Sequence, residues 1–337
     1  LIATAVLIIT CPCALALAVP VVQVVASTRL LRRGVLLLSP TALERLAQVD
    51  HVVLDKTGTL TLGRPELVGD AEPAALAEAA RLAAASRHPL AQALVRDAGM
   101  QAPDADVVEH PGQGLSCGDR KLGSAAFCGV ETAGDDGLSE LWFTAPGHAP
   151  VRFAFADRLR PDAAEAVAAL RRRGLPVELL SGDRPAAVAR AAEAAGIETW
   201  RAGVSPADKA ARLAALAAEG RRVLMLGDGL NDAPALAAAH ASISPATAAE
   251  ATQNAADAVF QGDALGPAVE TVEVARRADR LVRQNLAIAL LYNLSAVPLA
   301  ILGEVTPLVA AVAMSTSSLL VIGNALRLGV ATTKGAR

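Results

Sequence analysis

Three uncharged apolar runs constrain this chain before anything else does. Leu1 to Val25 contains no Asp, Glu, Lys or Arg, and neither does Leu286 to Leu302 or Pro307 to Leu326. A helix crosses the hydrocarbon of a bilayer in about 20 residues. A backbone that leaves water must satisfy its own N–H and C=O groups, so these runs are read as transmembrane helices. Arg29, Arg32 and Arg33 follow the first run; Arg276, Arg277, Arg280 and Arg283 precede the second; Arg327 and Lys334 follow the third. Positive charge therefore marks one side of all three as cytoplasmic, and the region between the first and second runs is expected there. Composition agrees: 53% of the 337 residues are hydrophobic, too apolar for an ordinary soluble protein. A net charge of −3 offers no basic field for nucleic acid. The chain starts at Leu1, inside an apolar run, without Met or a charged leader, and reads as a fragment lacking its upstream part rather than a signal peptide.

Between the runs, short apolar strands alternate with helices. His51 to Leu54 ends at Asp55, Val177 to Leu180 at Ser181-Gly182-Asp183, and Arg222 to Leu226 at Gly227-Asp228-Gly229. Helices are expected over Pro161–Arg173, Pro185–Ala195 and Pro206–Glu219, the last capped by Ser205 and each followed by Gly. This order predicts a doubly wound parallel sheet, which gathers ligands past the carboxyl ends of its strands. Residues 65–150 break the rhythm with frequent Gly and Pro and short, irregular strands, as an inserted α+β domain would. The expected domains are 1–28, the first span; 29–64 with 151–266, the core; 65–150, the insertion; and 267–337, a helix pair with a tail.

Chemistry concentrates at the strand ends. In Asp55-Lys56-Thr57-Gly58-Thr59-Leu60-Thr61, a carboxylate followed by a Gly-containing turn can attack phosphorus while backbone N–H groups face the transferred group. Gly227-Asp228-Gly229-Leu230-Asn231-Asp232 supplies hard oxygen ligands suited to Mg²⁺, with Asp228 nearest the strand end and Asn231 and Asp232 ordering loop and phosphate. Ser181, Gly182 and Asp183 offer a hydroxyl and an open backbone, and Lys209 an ammonium in the first turn of its helix.

The first span contains Cys11-Pro12-Cys13. Pro12 removes a backbone donor and breaks the helix, which allows both sulfurs to face one cavity. Soft thiolates favour Cu(I), with Zn²⁺ or Cd²⁺ as alternatives. Tyr292-Asn293 in the second run and Met314, Ser317 and Ser318 in the third add donors, and neither run carries the charged group that a divalent ion would call for. Cys117 and Cys128 are expected to be reduced, and no disulfide framework is expected.

The motifs DKTGTLT, SGD, PADK and GDGLNDAPAL, in this order, resemble the haloacid-dehalogenase core of P-type ATPases. The resemblance spans essentially the whole chain. It implies that Asp55 is phosphorylated, that Asp55, Thr57 (through its backbone) and Asp228 hold Mg²⁺, and that Lys209 and Ser181 meet the phosphoryl group. It places Thr59, Gly182, Asp183, Asn231 and Asp232 around phosphate and nucleotide, and Asp157 at the hinge where the insertion rejoins the core. Ser86-Arg87-His88-Pro89 and Glu109-His110-Pro111-Gly112-Gln113-Gly114 resemble the nucleotide-binding domain of heavy-metal P-type ATPases, which implies that His88, Glu109, Gly112 and Gly114 contact ATP. Ser124, after Gly123, stands where that family often has Asn.

NLAIALLYNLSAVP and MSTSS resemble the copper subclass, and Gly227 to Leu328 resembles the bacterial copper pumps for haem–copper oxidase assembly. The implied cargo is Cu(I), held by Cys11, Cys13, Tyr292, Asn293, Met314 and Ser318. A copper chaperone is the implied partner, and the inner membrane the implied location, with cytoplasmic catalytic domains. The family's actuator domain, with its TGE loop, is not in this sequence. The fragment is therefore expected to form the phosphoenzyme without completing a transport cycle. Two other classes compete: a membrane-tethered phosphohydrolase, which leaves the paired cysteines unexplained, and a metal-binding membrane protein with a decayed ATPase, which the intact Asp55, Lys209 and Asp228 oppose.

Overall fold

The structure is a computed structural model and describes residues 2–99, 102–131, 138–228, 232–248 and 250–330. Along the chain the first elements are α1 (Ile2–Ile9), α2 (Cys13–Ala18), α3 (Pro20–Arg32), β1 (Val35–Leu37), α4 (Ala42–Ala47) and β2 (His51–Asp55). There follow β3 (Thr61–Val68), α5 (Pro73–Ala83), α6 (Pro89–Asp97), β4 (Val108–His110), β5 (Gly114–Cys117), β6 (Arg120–Gly123), β7 (Ser139–Thr144) and β8 (Val151–Leu159). Next come α7 (Ala163–Arg172), β9 (Val177–Leu180), α8 (Pro185–Ala195), β10 (Thr199–Arg201), α9 (Pro206–Ala218) and β11 (Val223–Leu226). The chain closes with α10 (Ala233–Ala238), β12 (Ala241–Pro245), α11 (Glu250–Ala255), β13 (Ala258–Phe260), α12 (Gly266–Ile301) and α13 (Pro307–Val330). Two compact units result: Leu1–Val53 with Ala169–Pro176 and Ala210–Arg337, and Leu54–Ala168 with Val177–Lys209.

The first unit holds the apolar helices. Among the described residues, three segments are long and apolar enough to cross a membrane: Ile2–Arg32, Gly266–Ile301 and Pro307–Gly329. Leu290, Leu291 and Leu294 are more than 60% exposed, an arrangement that suits lipid rather than water. The sequence reading began the second span at Leu286. In the structure α12 runs unbroken for 36 residues, about 54 Å, from Gly266. Between Glu270 and Arg283 it carries charged residues with good helix propensity and no Gly or Pro, so nothing stops it at the membrane surface. Its early turns bury Val269, Val272 and Ala275 and pack on α4. The sheet of this unit runs β1-β13-β12-β11-β2, parallel from β11 to β13, with β1 antiparallel on its edge. β11, β12 and β13 are buried along their whole length, as parallel strands covered on both faces must be.

β2 gives its last two residues, Leu54 and Asp55, to the second unit, where it neighbours β9, and β9 pairs in parallel with β10. The rest of this unit is an antiparallel sheet of order β3-β8-β7-β6-β5-β4. Helices α5 and α6 close over it, and Leu82, Leu94, Leu115, Leu122, Phe143, Phe153 and Phe155 form the core. Within residues 65–150 the strands β4 to β7 are three to six residues long, while β3 and β8, at the borders of that stretch, have eight and nine. Pro65 sits inside β3, which is an edge strand, so its missing N–H costs no ladder bond.

Candidate active site and metal path

Asp55 is the last residue of β2 and is 5% exposed. The chain then turns sharply, with Thr57 extended (ψ 128°) and Gly58 at φ +69°, a conformation that favours glycine. Thr61 ties the turn down: its Oγ1 accepts from Gly58 N at 3.1 Å and donates to Lys56 O at 3.0 Å. Arg160 binds the same turn, donating to Thr59 O at 2.7 Å and Gly58 O at 2.8 Å from a site only 3% exposed. The sequence reading named Asp157 in this motif and missed Arg160, whose signal was the arginine three residues on, just before Pro161.

Lys209 Nζ lies 2.5 Å from Asp55 Oδ1, and both side chains are almost fully buried. The helix carrying Lys209 starts on a capping box. Ser205 Oγ donates to Asp208 Oδ2 at 2.6 Å, and Asp208 N donates to Ser205 Oγ at 3.2 Å. The Ser205 hydroxyl, and then the Ser205 backbone N–H, hold the Asp208 carboxyl below its ordinary range. Lys56 Nζ pairs with Asp183 Oδ2 at 2.7 Å. Ser181 is 2% exposed and accepts from Asp183 N at 3.2 Å, so it braces the loop that presents Gly182 and Asp183. Thr59 Oγ1 is buried without a hydrogen-bond partner among the described residues. Asp157 is pushed up in pKa by burial, against the lowering effects of Thr61 and Lys56. Its Oδ2 meets Thr61 Oγ1, and its Oδ1 is buried without a hydrogen-bond partner among the described residues. Thr61 has one proton for two acceptors, Lys56 O and Asp157 Oδ2, and protonation of Asp157 relieves that conflict.

In the first unit, Gly227 follows β11, and a Cβ on it would stand 3.0 Å from the Asp232 carboxyl. Asp232 is 1% exposed, and its carboxylate and that of Asp228 approach within 4.8 Å of each other. This pair of hard oxygen donors suits Mg²⁺. Asn231 lies outside the described residues.

The inserted sheet forms a cavity of about 250 Å³ lined by His88, Glu109, Gly112, Gly114 and Ser124. Ser86 Oγ donates to Glu109 Oε1 at 3.1 Å, and His88 Nδ1 accepts from Leu90 N at 3.3 Å, capping α6. A Cβ on Gly114 or on Gly123 would fall 2.3 Å from Leu122 O or Gln113 O, so the floor of this cavity requires bare backbone on both strands. His110 also lines the cavity and stacks obliquely on Phe127, with ring centroids 5.1 Å apart; the sequence reading gave it no role.

In the membrane helices α1 stops at Ile9 and α2 resumes at Cys13, the break expected from Pro12. Cys11 and Cys13 were expected as free thiolates. Instead their sulfurs are joined as a disulfide, because the break turns both to one side with Cα atoms 5.5 Å apart. A disulfide cannot ligate a soft ion, so metal binding requires the reduced pair. Cys117 and Cys128 are free, and burial raises the Cys128 thiol.

Two small-residue clusters bracket the break: Ala5 and Ile9 with Ala300 and Ala310, and Ala14 and Ala18 with Ala289 and Val321. Cys11 and Cys13 therefore stand at the level of Tyr292 and Asn293 on α12 and of Met314, Ser317 and Ser318 on α13. Tyr292 Oη, Asn293 Oδ1 and Ser317 Oγ are buried without hydrogen-bond partners among the described residues, whereas Ser318 Oγ donates to Met314 O at 3.3 Å. Nearer the Arg-rich end, Asn285 is fully buried; it donates to Ala18 O at 3.2 Å and accepts from Asn324 at 2.9 Å.

Residues 49–240 match the haloacid dehalogenase-like hydrolase family, and the chain belongs to it. Within that family it is a heavy-metal P-type ATPase related to bacterial copper pumps. It is 51% identical over 334 residues to the nitrogen fixation protein FixI of Bradyrhizobium diazoefficiens, covering 96% of this chain and 46% of that protein. It is 40% identical to the probable copper-transporting ATPase SynA of Synechococcus elongatus, covering 94% of this chain and 43% of that one. A solved zinc-transporting PIB-type ATPase in the E2·Pi state superposes with a TM-score of 0.79 at 31% identity, covering 95% of this chain and 56% of that chain. The chain thus spans about half the length of the curated relatives it matches.

Proposed function

We propose that the protein uses ATP to phosphorylate Asp55 and couples that step to export of Cu(I) across the bacterial inner membrane, with its catalytic domains in the cytoplasm. The observation that carries the reading is the buried contact between Lys209 Nζ and Asp55 Oδ1 at the end of β2. A carboxylate held by a fixed ammonium, beside a turn cinched by Thr61 and Arg160, is preorganised for a phosphoryl group. A carboxylate oxygen of Asp55 attacks the γ-phosphorus, an acyl phosphate bond forms, and the bond to the β-phosphate oxygen breaks so that ADP leaves. Lys209 neutralises charge on the transferred group, and Thr59 and Gly182 face its oxygens. Mg²⁺, held by Asp55, the Thr57 carbonyl and Asp228, would screen the triphosphate from the nucleophile. Asp232 braces that loop. His88, Glu109, Gly112 and Gly114 bind the nucleotide, and Asp183 is paired to Lys56.

The metal reading rests on donor chemistry. Two cysteine sulfurs and the Met314 thioether are soft, and the apolar runs Leu1 to Val25, Leu286 to Leu302 and Pro307 to Leu326 supply no charged group for a divalent ion. Tyr292, Asn293 and Ser318 complete the proposed path. Cu(I) would arrive from a chaperone, as free copper is too reactive to leave unescorted. The likeness to a zinc-transporting structure favours Zn²⁺ as the second reading.

Both readings are tested by labelling the protein with ATP radiolabelled at the γ-phosphate, in the presence of Cu(I) or Zn²⁺. Acid-stable label that is absent from Asp55→Asn identifies the nucleophile. Label stimulated by Zn²⁺ and not by Cu(I) rejects the copper assignment. Label that survives Asp55→Asn rejects the mechanism.

A further inference from the structure

Between α3 and α13, at the Arg-rich end of the first span, lies a cavity of about 340 Å³ that the transport chemistry does not use. Its walls are of two kinds. Val24, Val25 and Leu326 line the apolar side, and Gly329 leaves it open, since a Cβ there would only touch Val25 at an ordinary 3.8 Å. Arg29, Arg32 and Arg33 line the other side.

The charges do not cancel. Arg29 is committed to Leu328 O at 2.9 Å and to Glu270 at 3.0 Å, and Arg33 reaches the same Glu270 at 3.5 Å while half its side chain stays exposed. Arg32 is exposed, and its side chain makes no ion pair or hydrogen bond among the described residues. Two of the three guanidiniums thus share one carboxylate and the third has none, which leaves two positive charges at the mouth of an apolar slot. Arginines placed only to orient a span would need no such slot. A free phosphate would leave the slot unfilled, and a neutral lipid would leave the guanidiniums uncompensated.

We infer that this cavity binds one anionic glycerophospholipid, its phosphate on Arg32 and Arg33 and an acyl chain along Val24 and Leu326. Basic pockets between spans on the cytoplasmic side recognise headgroups in this way, at about 1 kcal/mol per guanidinium. Because Arg29 and Glu270 tie α3 to the long helix α12, the lipid would sit on the joint between two spans.

The test is native mass spectrometry of the purified chain from micelles doped with phosphatidylglycerol or phosphatidylcholine. One phosphatidylglycerol should be retained in preference to phosphatidylcholine. Arg32→Gln with Arg33→Gln should lower its occupancy by about 30-fold, while Arg32→Lys with Arg33→Lys should retain it and so control for folding. Gly329→Leu, which fills the slot and leaves every charge in place, should also lose the lipid. Equal retention of the two lipids overturns the inference. So does retention by Gly329→Leu, which would mean mere surface attraction, or full displacement by soluble glycerol phosphate, which would mean a phosphate site rather than a lipid site.

Discussion

Lys209 Nζ stands 2.5 Å from Asp55 Oδ1 across 154 residues of sequence, with the two side chains 8% and 7% exposed. Removing one partner of such a pair strands a charge in the interior. Lys209→Met should destabilise the catalytic region by about 3–5 kcal/mol. It should also slow formation of the phosphoenzyme by at least about 100-fold. The double variant Asp55→Asn with Lys209→Met should recover much of the stability and none of the label. Urea unfolding and acid-quenched labelling read the two effects separately.

The capping box at Ser205 and Asp208 sets the first turn that carries Lys209. The Asp208 carboxyl is held low in the folded state by Ser205. Its contribution is therefore present above the ordinary carboxylate range and is lost as pH falls through the lower folded value. Ser205→Ala should lower the unfolding midpoint at neutral pH and flatten its decline in acid. Thermal unfolding of the two proteins from neutral to acid pH measures this; parallel curves would show that the cap is not coupled to Asp208.

Asp157 has the opposite sign. Burial raises its folded pKa, so the folded state holds its proton more tightly than the unfolded chain does. Stability should fall as pH climbs from the ordinary carboxylate range through that raised value. Asp157→Asn should be more stable than the parent at neutral pH, with the slope removed. Denaturant midpoints across this range decide it.

Cys11 and Cys13 must be reduced before they can hold a metal. Cu(I) binding by the chain should appear only after treatment with a thiol-free reductant, and Cys11→Ser or Cys13→Ser should abolish it. Ser317→Ala should weaken it less. Competition against a Cu(I) chelator measures each case, and binding unchanged by reductant would exclude the sulfur site.

Gly123→Ala should cost the inserted domain its nucleotide. The new methyl would fall 2.3 Å from Gln113 O, so strands β5 and β6 must part beneath the cavity. ATP affinity by calorimetry should fall at least tenfold, whereas Gly323→Ala, in α13 with open space around it, should leave affinity unchanged.

Much of this arrangement was legible because local rules dictate it. Apolar length marked the spans, Pro12 marked the break, and Pro and Gly marked both ends of α8. The stretch after Asp55 announced its turn through Gly58. Other features had no local signal. Arg160 reads as an ordinary surface arginine until the turn it binds is folded against it. The union of the Arg-rich connector with the second span in α12 defeated a reading by hydropathy, because helix propensity ignores the membrane boundary.

By itself the amino-acid order determined which side chains could do chemistry and where the chain must enter a bilayer, since both follow from residue type and short-range spacing. Only the folded chain decided which of them meet. The contact of Lys209 with Asp55, the orphaned oxygens of Tyr292, Asn293 and Ser317, and the slot between α3 and α13 arise from packing between distant segments. The reason is physical: burial and pairing are properties of neighbours in space, and a linear pattern carries no record of them.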